Sequence, residues 1–198
     1  IAMALNISLQ EMGKSTHSTD KYYQMIGNGM DMLCRRAIGD APEEQVQELI
    51  GRYKRRYQEN CCVRTYAYDG IKELLRALTQ ENIRISVLSN KPHQQTVKVV
   101  STILPDVPFT SVLGQSEQFP KKPDPTSLMH LIHEAGVTQE DTVYIGDSDV
   151  DMLLAANAGV TGIGAAWGFR GTEELKKAGA VAVAENAQEL KHILLQKL

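Results

Sequence analysis

From about Val63 to the end of the chain, short apolar runs rich in β-branched residues alternate with stretches of helical periodicity. That alternation constrains the fold more than any other feature. Strands joined by helices of this length lie parallel, and a parallel sheet needs helices over both faces. The run Ile83-Arg84-Ile85-Ser86-Val87-Leu88 reads as a strand that ends at Ser89-Asn90. Residues 109–113, 142–145, 161–166 and 180–184 read as four more. Helices are expected through Ile71, Leu74, Leu75 and Leu78, through Val97, Val100 and Leu104, through Leu128, Leu131, Ile132 and Ala135, over 150–158 and over 189–198. Pro92 suits the first turn of the second of these. Asp124 caps the third, Pro125 opens it and Gly136 closes it.

The first third follows a different grammar, helix and loop with no strand. Ile1, Leu5, Leu9 and Met12 recur at helical spacing until Gly13. A second helix is expected after Gly29 through Met30, Leu33 and Cys34. A third opens at Pro42 and Glu43 and carries Val46, Leu49, Ile50, Tyr53 and Tyr57 on one face. Arg52, Lys54, Arg55 and Arg56 sit mostly off that face. They read as a solvated helix surface, with a phosphate-attracting rim as the lesser alternative. The organisation is therefore a helical module over 1–62 and an α/β core over 63–198, a division that 198 residues accommodate.

Composition narrows the function. Apolar residues at 42% and charged residues at 23% lie near the globular average, which excludes disordered, collagenous and coiled-coil classes. A net charge of -3 gives no polybasic footprint, so neither nucleic acid nor an anionic membrane is the expected partner. No apolar run has the length of a membrane span. Three cysteines, with Cys61 and Cys62 adjacent, do not make a disulfide framework, and no Cys-x-x-Cys spacing suggests zinc. The expectation is a reduced, cytoplasmic enzyme or binding domain.

In an open parallel sheet, ligands bind outside the carboxyl ends of the strands, and the reactive residues of this sequence fall there. Ser89 and Asn90 follow the first strand, Lys122 follows the second, and Asp147 follows the third. In Gly146-Asp147-Ser148-Asp149-Val150-Asp151, Asp147 and Asp151 are one turn apart and can face the same side of the helix start. Two hard carboxylates on one edge suit Mg²⁺, which takes few protein ligands and keeps waters for a substrate phosphate. The simpler reading is that these acids only offset the helix dipole, and for Asp149 it is preferred. Ser89 lacks a Gly-x-Ser-x-Gly elbow, so it is no hydrolase nucleophile. As a donor to a phosphoryl oxygen beside a helix N-terminus it makes chemical sense. Lys122 suits phosphate neutralisation, with Lys121 facing solvent. His17, His93, His130, His133 and His192 form no metal pair or triad. Gly162-Ile163-Gly164 lacks the third glycine of a dinucleotide fingerprint.

Ser89 after an apolar strand, Lys122-Pro123-Asp124-Pro125, and the Gly146–Asp151 stretch resemble motifs two, three and four of the haloacid dehalogenase superfamily, in that order. Lys121-Lys122-Pro123-Asp124-Pro125 and Trp167-Gly168-Phe169 bring the likeness nearest to phosphoglycolate phosphatase-like members. The resemblance implies a Rossmann-like core with an α-helical cap, and Gly27-Asn28-Gly29 as the substrate-facing cap loop. It further implies Mg²⁺ held by Asp147 and Asp151, with Asp151 positioning a metal-bound water or orienting Lys122. Ser89 and the Asn90 backbone N–H would hold the phosphoryl oxygens, and Lys122 would neutralise developing charge. The implied reaction is hydrolysis of a small phosphorylated metabolite, first of all 2-phosphoglycolate, through an aspartyl-phosphate. The expected assembly is a monomer or homodimer.

The family's first motif, Asp-x-Asp-Gly-Thr, which carries the nucleophile, does not occur in these residues. A strand and turn bearing it are expected before Ile1, between the strands that end at Ser89 and Asp147. Tyr66-Ala67-Tyr68-Asp69-Gly70 also departs from relatives, which often have proline at the Ala67 position. The alternatives are a β-phosphoglucomutase-like phosphomutase and a catalytically dead phosphate-ligand binding protein.

Overall fold

In this computed structural model residues 1–197 are described, and they form two compact units, Ile1–Thr65 and the residues from Tyr66 onward. The end of the last expected helix, Leu198, lies outside the described residues.

The first unit is built from α1 (Ala2–Glu11), α2 (Thr19–Met25), α3 (Gly29–Ile38) and α4 (Glu43–Asn60). Leu5, Leu9, Leu33, Cys34, Val46, Leu49 and Tyr53 form its buried interior. Gly13 ends α1 at φ +66°, a conformation that costs glycine nothing. Sequence periodicity anticipated α1, α3 and α4 but not α2, whose seven residues are too few to display a period. What holds α2 in place is polar. The Tyr22 hydroxyl donates to Asn6 Oδ1 at 2.6 Å, and the Asn6 side chain also bonds the backbone N–H and C=O of His17. On α4, Arg52 pairs with Glu48 and Glu11, and Arg56 with Glu11. These exposed helix-face pairs match the solvated reading of the basic run.

The second unit alternates helix and strand: α5 (Ile71–Gln80), β1 (Ser86–Pro92), α6 (His93–Ile103), β2 (Ser111–Gln115), α7 (Thr126–Ala135), β3 (Val143–Gly146), α8 (Asp149–Ala158), β4 (Thr161–Ala165), α9 (Gly171–Lys177), β5 (Ala182–Ala184) and α10 (Ala187–Lys197). All three strand pairings are parallel. One apolar cluster joins Leu74 and Leu78 of α5, Ile163 of β4 and Leu190 and Leu194 of α10. The other joins Leu128 and Ile132 of α7, Tyr144 of β3 and Leu154 and Ala155 of α8. Successive residues of β3, Val143 and Tyr144, enter different clusters, as a strand covered on both faces requires. The mainly parallel α/β core inferred from sequence is the observed one.

Three features differ from the sequence reading. The first strand is displaced. Ile83 and Ile85 pack on the α5/α10 cluster, while the ladder to β2 runs from Ser86 to Leu88 and resumes, after a register shift, at Pro92. Ser89 and Asn90 therefore sit at an irregularity within β1 and not beyond its end. Next, α6 does not bury Val97, which is 40% exposed. It turns Thr96 inward, where the hydroxyl donates to the Lys91 and Pro92 carbonyls and faces Gly114 of β2. A Cβ at Gly114 would overlap that hydroxyl, so strand and helix approach closely only because position 114 is glycine. Finally, α9 is another seven-residue helix that periodicity did not reveal.

The strands form two sheets, β1–β2 and β3–β4–β5. Among the described residues β1 has β2 as its strand neighbour and β3 has β4. Ile145 of β3 is 38% exposed, unusual for an apolar residue of a parallel strand.

Candidate active site

The site is assembled at the carboxyl ends of β1 and β3, and Asp151 is its centre. Asp151 lies in the first turn of α8, four residues after Asp147, and is 5% exposed. Its Oδ2 accepts from the Ser148 hydroxyl at 2.7 Å and from the Asp147 backbone N–H at 3.2 Å. Its Oδ1 accepts from Lys122 Nζ at 2.7 Å and from the Tyr144 hydroxyl at 3.2 Å. A carboxylate offers about four lone-pair positions, so all of them are taken. The close approach depends on Gly146, where a Cβ would overlap the Asp151 side chain.

Lys122 precedes α7 and is reached from two directions. From β1, the Asn90 side chain accepts from the Lys122 backbone N–H at 2.9 Å and donates to its carbonyl at 3.3 Å. From β3 and α8, Tyr144 and Asp151 hold the ammonium. The lysine side chain is 13% exposed, whereas Lys121 is an exposed residue. Burial opposes the Lys122 charge, but the Tyr144 oxygen and the Asp151 carboxylate more than offset it and raise its pKa above the ordinary lysine value. Burial likewise works against the Asp151 charge. Lys122, Ser148 and the Asp147 N–H reverse that and hold it below the usual carboxylate range.

Asp147 is in the opposite condition. Its Oδ2 accepts a long bond, 3.3 Å, from the Phe169 N–H. Burial first and the Asp151 charge second push its pKa up to about 6, with Lys122 pulling the other way. Gly168 lies against this carboxylate so closely that a Cβ there would overlap it. The Trp167-Gly168-Phe169 turn is thus a wall of the site, with a glycine where the acid needs room.

Ser89 Oγ accepts from the Lys91 backbone N–H at 3.1 Å. That bond orients the hydroxyl oxygen and leaves its proton available to an acceptor. Asn90, expected to act through its backbone, also acts through its side chain as the clamp on Lys122. Gly27, Asn28 and Gly29 belong to the first unit, where Gly27 and Asn28 connect α2 to α3 and Gly29 is the first residue of α3. There φ of +124° and +86° at the two glycines fixes a turn that residues with a Cβ rarely adopt.

The divalent cation implied by the sequence can be tested against these donors. Among the described residues no three His, Cys, Asp or Glu side chains group together as a metal site. Asp151 has no lone pair to spare, so it differs from the expected pair of ligands. Asp147 does fit. It is a half-buried hard oxygen donor whose charge is incompletely compensated. One or two protein carboxylates, with waters and substrate phosphate, suffice for Mg²⁺.

Two residues of the network escaped the sequence reading. Tyr144 looked like an ordinary strand residue. Ser148 did carry a signal, since Ser148-Asp149-Val150-Asp151 has the Ser-x-x-acid spacing of a capping box.

Comparison with known proteins agrees with this arrangement. Residues 1–165 match the family profile described as haloacid dehalogenase-like hydrolase. A phosphoglycolate phosphatase of Mannheimia succiniciproducens is 30% identical over 177 residues, covering 85% of this chain and 79% of its own length. One from Colwellia psychrerythraea is 26% identical over 186 residues, covering 90% and 82%. The crystal structure of a candidate phosphoglycolate phosphatase from Lactobacillus delbrueckii subsp. bulgaricus superposes with a TM-score of 0.91 at 25% identity, over 98% of this chain and 90% of that one. By profile, relatives and fold, this chain belongs to the haloacid dehalogenase-like hydrolase family, as a phosphoglycolate phosphatase-like member of it.

Proposed function

We propose that the protein is a phosphoric monoester hydrolase acting on a small phosphorylated metabolite, with 2-phosphoglycolate as the first candidate. The observation that carries this reading is the buried ammonium of Lys122, held by Asp151 and Tyr144 beside the undercompensated Asp147. A buried, fixed cation costs no reorganisation when negative charge develops next to it, which is the condition for strong transition-state stabilisation. Relatives named phosphoglycolate phosphatase support the choice of substrate.

In this mechanism Lys122 meets the phosphoryl oxygens and stabilises the charge they gain. Ser89 donates its free proton to another of those oxygens. Asp151 orients Lys122, the second of the two roles open to it, and lowers the cost of burying the ammonium. Asp147 would hold Mg²⁺, which when bound screens the repulsion between substrate phosphate and the site's acids. The attacking carboxylate is proposed to come from a strand between β1 and β3. The break between the two sheets and the exposed Ile145 support that position. Residues 1–62 are proposed as the cap, with Gly27-Asn28-Gly29 as its substrate-facing loop.

The test is hydrolysis of p-nitrophenyl phosphate and 2-phosphoglycolate by the protein as its gene encodes it. Turnover that needs Mg²⁺ and prefers 2-phosphoglycolate is expected. Hydrolysis of neither ester in Mg²⁺ would overturn the reading.

A further inference from the structure

The Tyr144 hydroxyl has no part in the chemistry above, yet it occupies a decisive position. Its oxygen accepts from Lys122 Nζ at 3.2 Å, and its proton goes to Asp151 Oδ1 at 3.2 Å. With the Lys122–Asp151 bond of 2.7 Å, the three groups close a ring of hydrogen bonds. The ammonium also lies over the tyrosine ring, 5.8 Å from its centroid, while its hydrogen bond goes to the hydroxyl. The ring itself is 9% exposed and packed among Leu128, Ile132 and Leu154, which makes it a rigid support.

An ammonium has three N–H donors. With Asp151 alone as partner, Lys122 would keep that contact while turning about its terminal bonds, and its two other donors would sweep a cone. A second fixed acceptor removes that freedom. Two N–H bonds are then committed to protein oxygens and the third has one direction left.

We propose that Tyr144 is a positioning residue for Lys122: its hydroxyl fixes the direction of the one ammonium N–H that is left for a substrate phosphoryl oxygen. This rests on the reading that Lys122 meets the phosphoryl group. Tyr144 touches neither substrate nor reacting atoms. It acts through Lys122, with no proton transfer of its own.

The experiment is a double-mutant cycle in the gene-encoded chain, assayed with p-nitrophenyl phosphate in Mg²⁺. Tyr144→Phe keeps the packed ring and is expected to lower kcat about tenfold with KM within about twofold, the worth of one hydrogen bond to a charged group. In a Lys122→Ala background the same substitution is expected to cost nothing further. An unchanged kcat, or an equal loss in both backgrounds, would overturn the proposal. A second readout needs no activity and stands even if the protein hydrolyses no phosphate ester. The side-chain ¹⁵N ammonium resonance of Lys122, assigned by its loss in Lys122→Ala, is expected to be visible near neutral pH and to disappear through faster hydrogen exchange in Tyr144→Phe. The same resonance at the same exchange rate in Tyr144→Phe would contradict the positioning role.

Discussion

At the scale of single residues, the site sets two aspartates four positions apart into opposite electrostatic states. Asp151 has four donors, one of them a cation, and Asp147 has a long bond from the Phe169 backbone N–H and a like charge nearby. The Asp147 pKa is raised, so the fold favours its protonated form. The associated stability is fully present below the ordinary aspartate pKa of about 3.9 and is lost as pH rises through about 6. Asp151 runs the other way, and its contribution is present above about 3.9 and lost on acidification. In EDTA, Asp147→Asn is therefore expected to raise the melting temperature at pH 7 and leave it unchanged at pH 3. Mg²⁺ at pH 7 is expected to stabilise the wild type but not the variant. Thermal melts at the two pH values check both statements. Lys122→Ala should lower kcat by about 10²–10³-fold, the loss typical of one fixed transition-state donor. It should also destabilise by about 3–5 kcal/mol, because Asp151 stays buried without its partner. Lys121→Ala, at an exposed position, is expected to change neither by more than about twofold in rate or about 0.5 kcal/mol in stability. Parallel kinetics and melts on the two variants separate the lysines.

At the scale of elements, two close approaches position the acids. Gly146 admits Asp151 and Gly168 admits Asp147. Gly168→Ala is expected to displace the Asp147 carboxylate and weaken Mg²⁺ binding at least tenfold, read by calorimetric titration, with the secondary structure unchanged by circular dichroism. The glycines also mark what sequence reasoning can see. Asp147, Asp151 and Lys122 were legible because motif order and strand exits brought them to one edge. Gly168 and Asn90 were visible as residues but not in these roles. Their partners stand 21 and 32 positions away, and no local period encodes such contacts. The shift of β1 has a similar origin. Ile83 and Ile85 are as apolar and β-branched as any strand residues, yet they are used to pack on α5 and α10 while pairing begins at Ser86. The short helices α2 and α9 are held by tertiary contacts such as Tyr22 to Asn6, which seven-residue windows do not contain. For the turn before α3, replacing Asn28 is expected to change the preference between 2-phosphoglycolate and p-nitrophenyl phosphate by more than about fivefold while moving the p-nitrophenyl phosphate rate less than twofold. Comparing kcat/KM on the two esters measures it.

At the scale of the whole molecule, the network joins the two sheets through side chains. Asn90 on β1 grips Lys122, and Lys122 is gripped by Tyr144 on β3 and Asp151 on α8. The strand proposed for the nucleophile would lie between those same two strands. Its carboxyl end would then emerge where the Lys122 ammonium and the Asp147 carboxylate already face each other's field. The fold class was legible because alternation of strand and helix is a property of the whole sequence. The break between β1 and β3 was legible only through the family resemblance, which places a further strand there, because pairing across a sheet depends on which strand lies alongside and not on either strand's composition. The most direct measurement of the central claim is the rate of 2-phosphoglycolate hydrolysis by the gene-encoded protein and its Asp147→Asn variant, each with Mg²⁺ and with excess EDTA. The account predicts turnover in wild type with Mg²⁺ and a loss of at least about 10²-fold in the other three samples. Wild-type turnover in EDTA, or full turnover by Asp147→Asn, would contradict it.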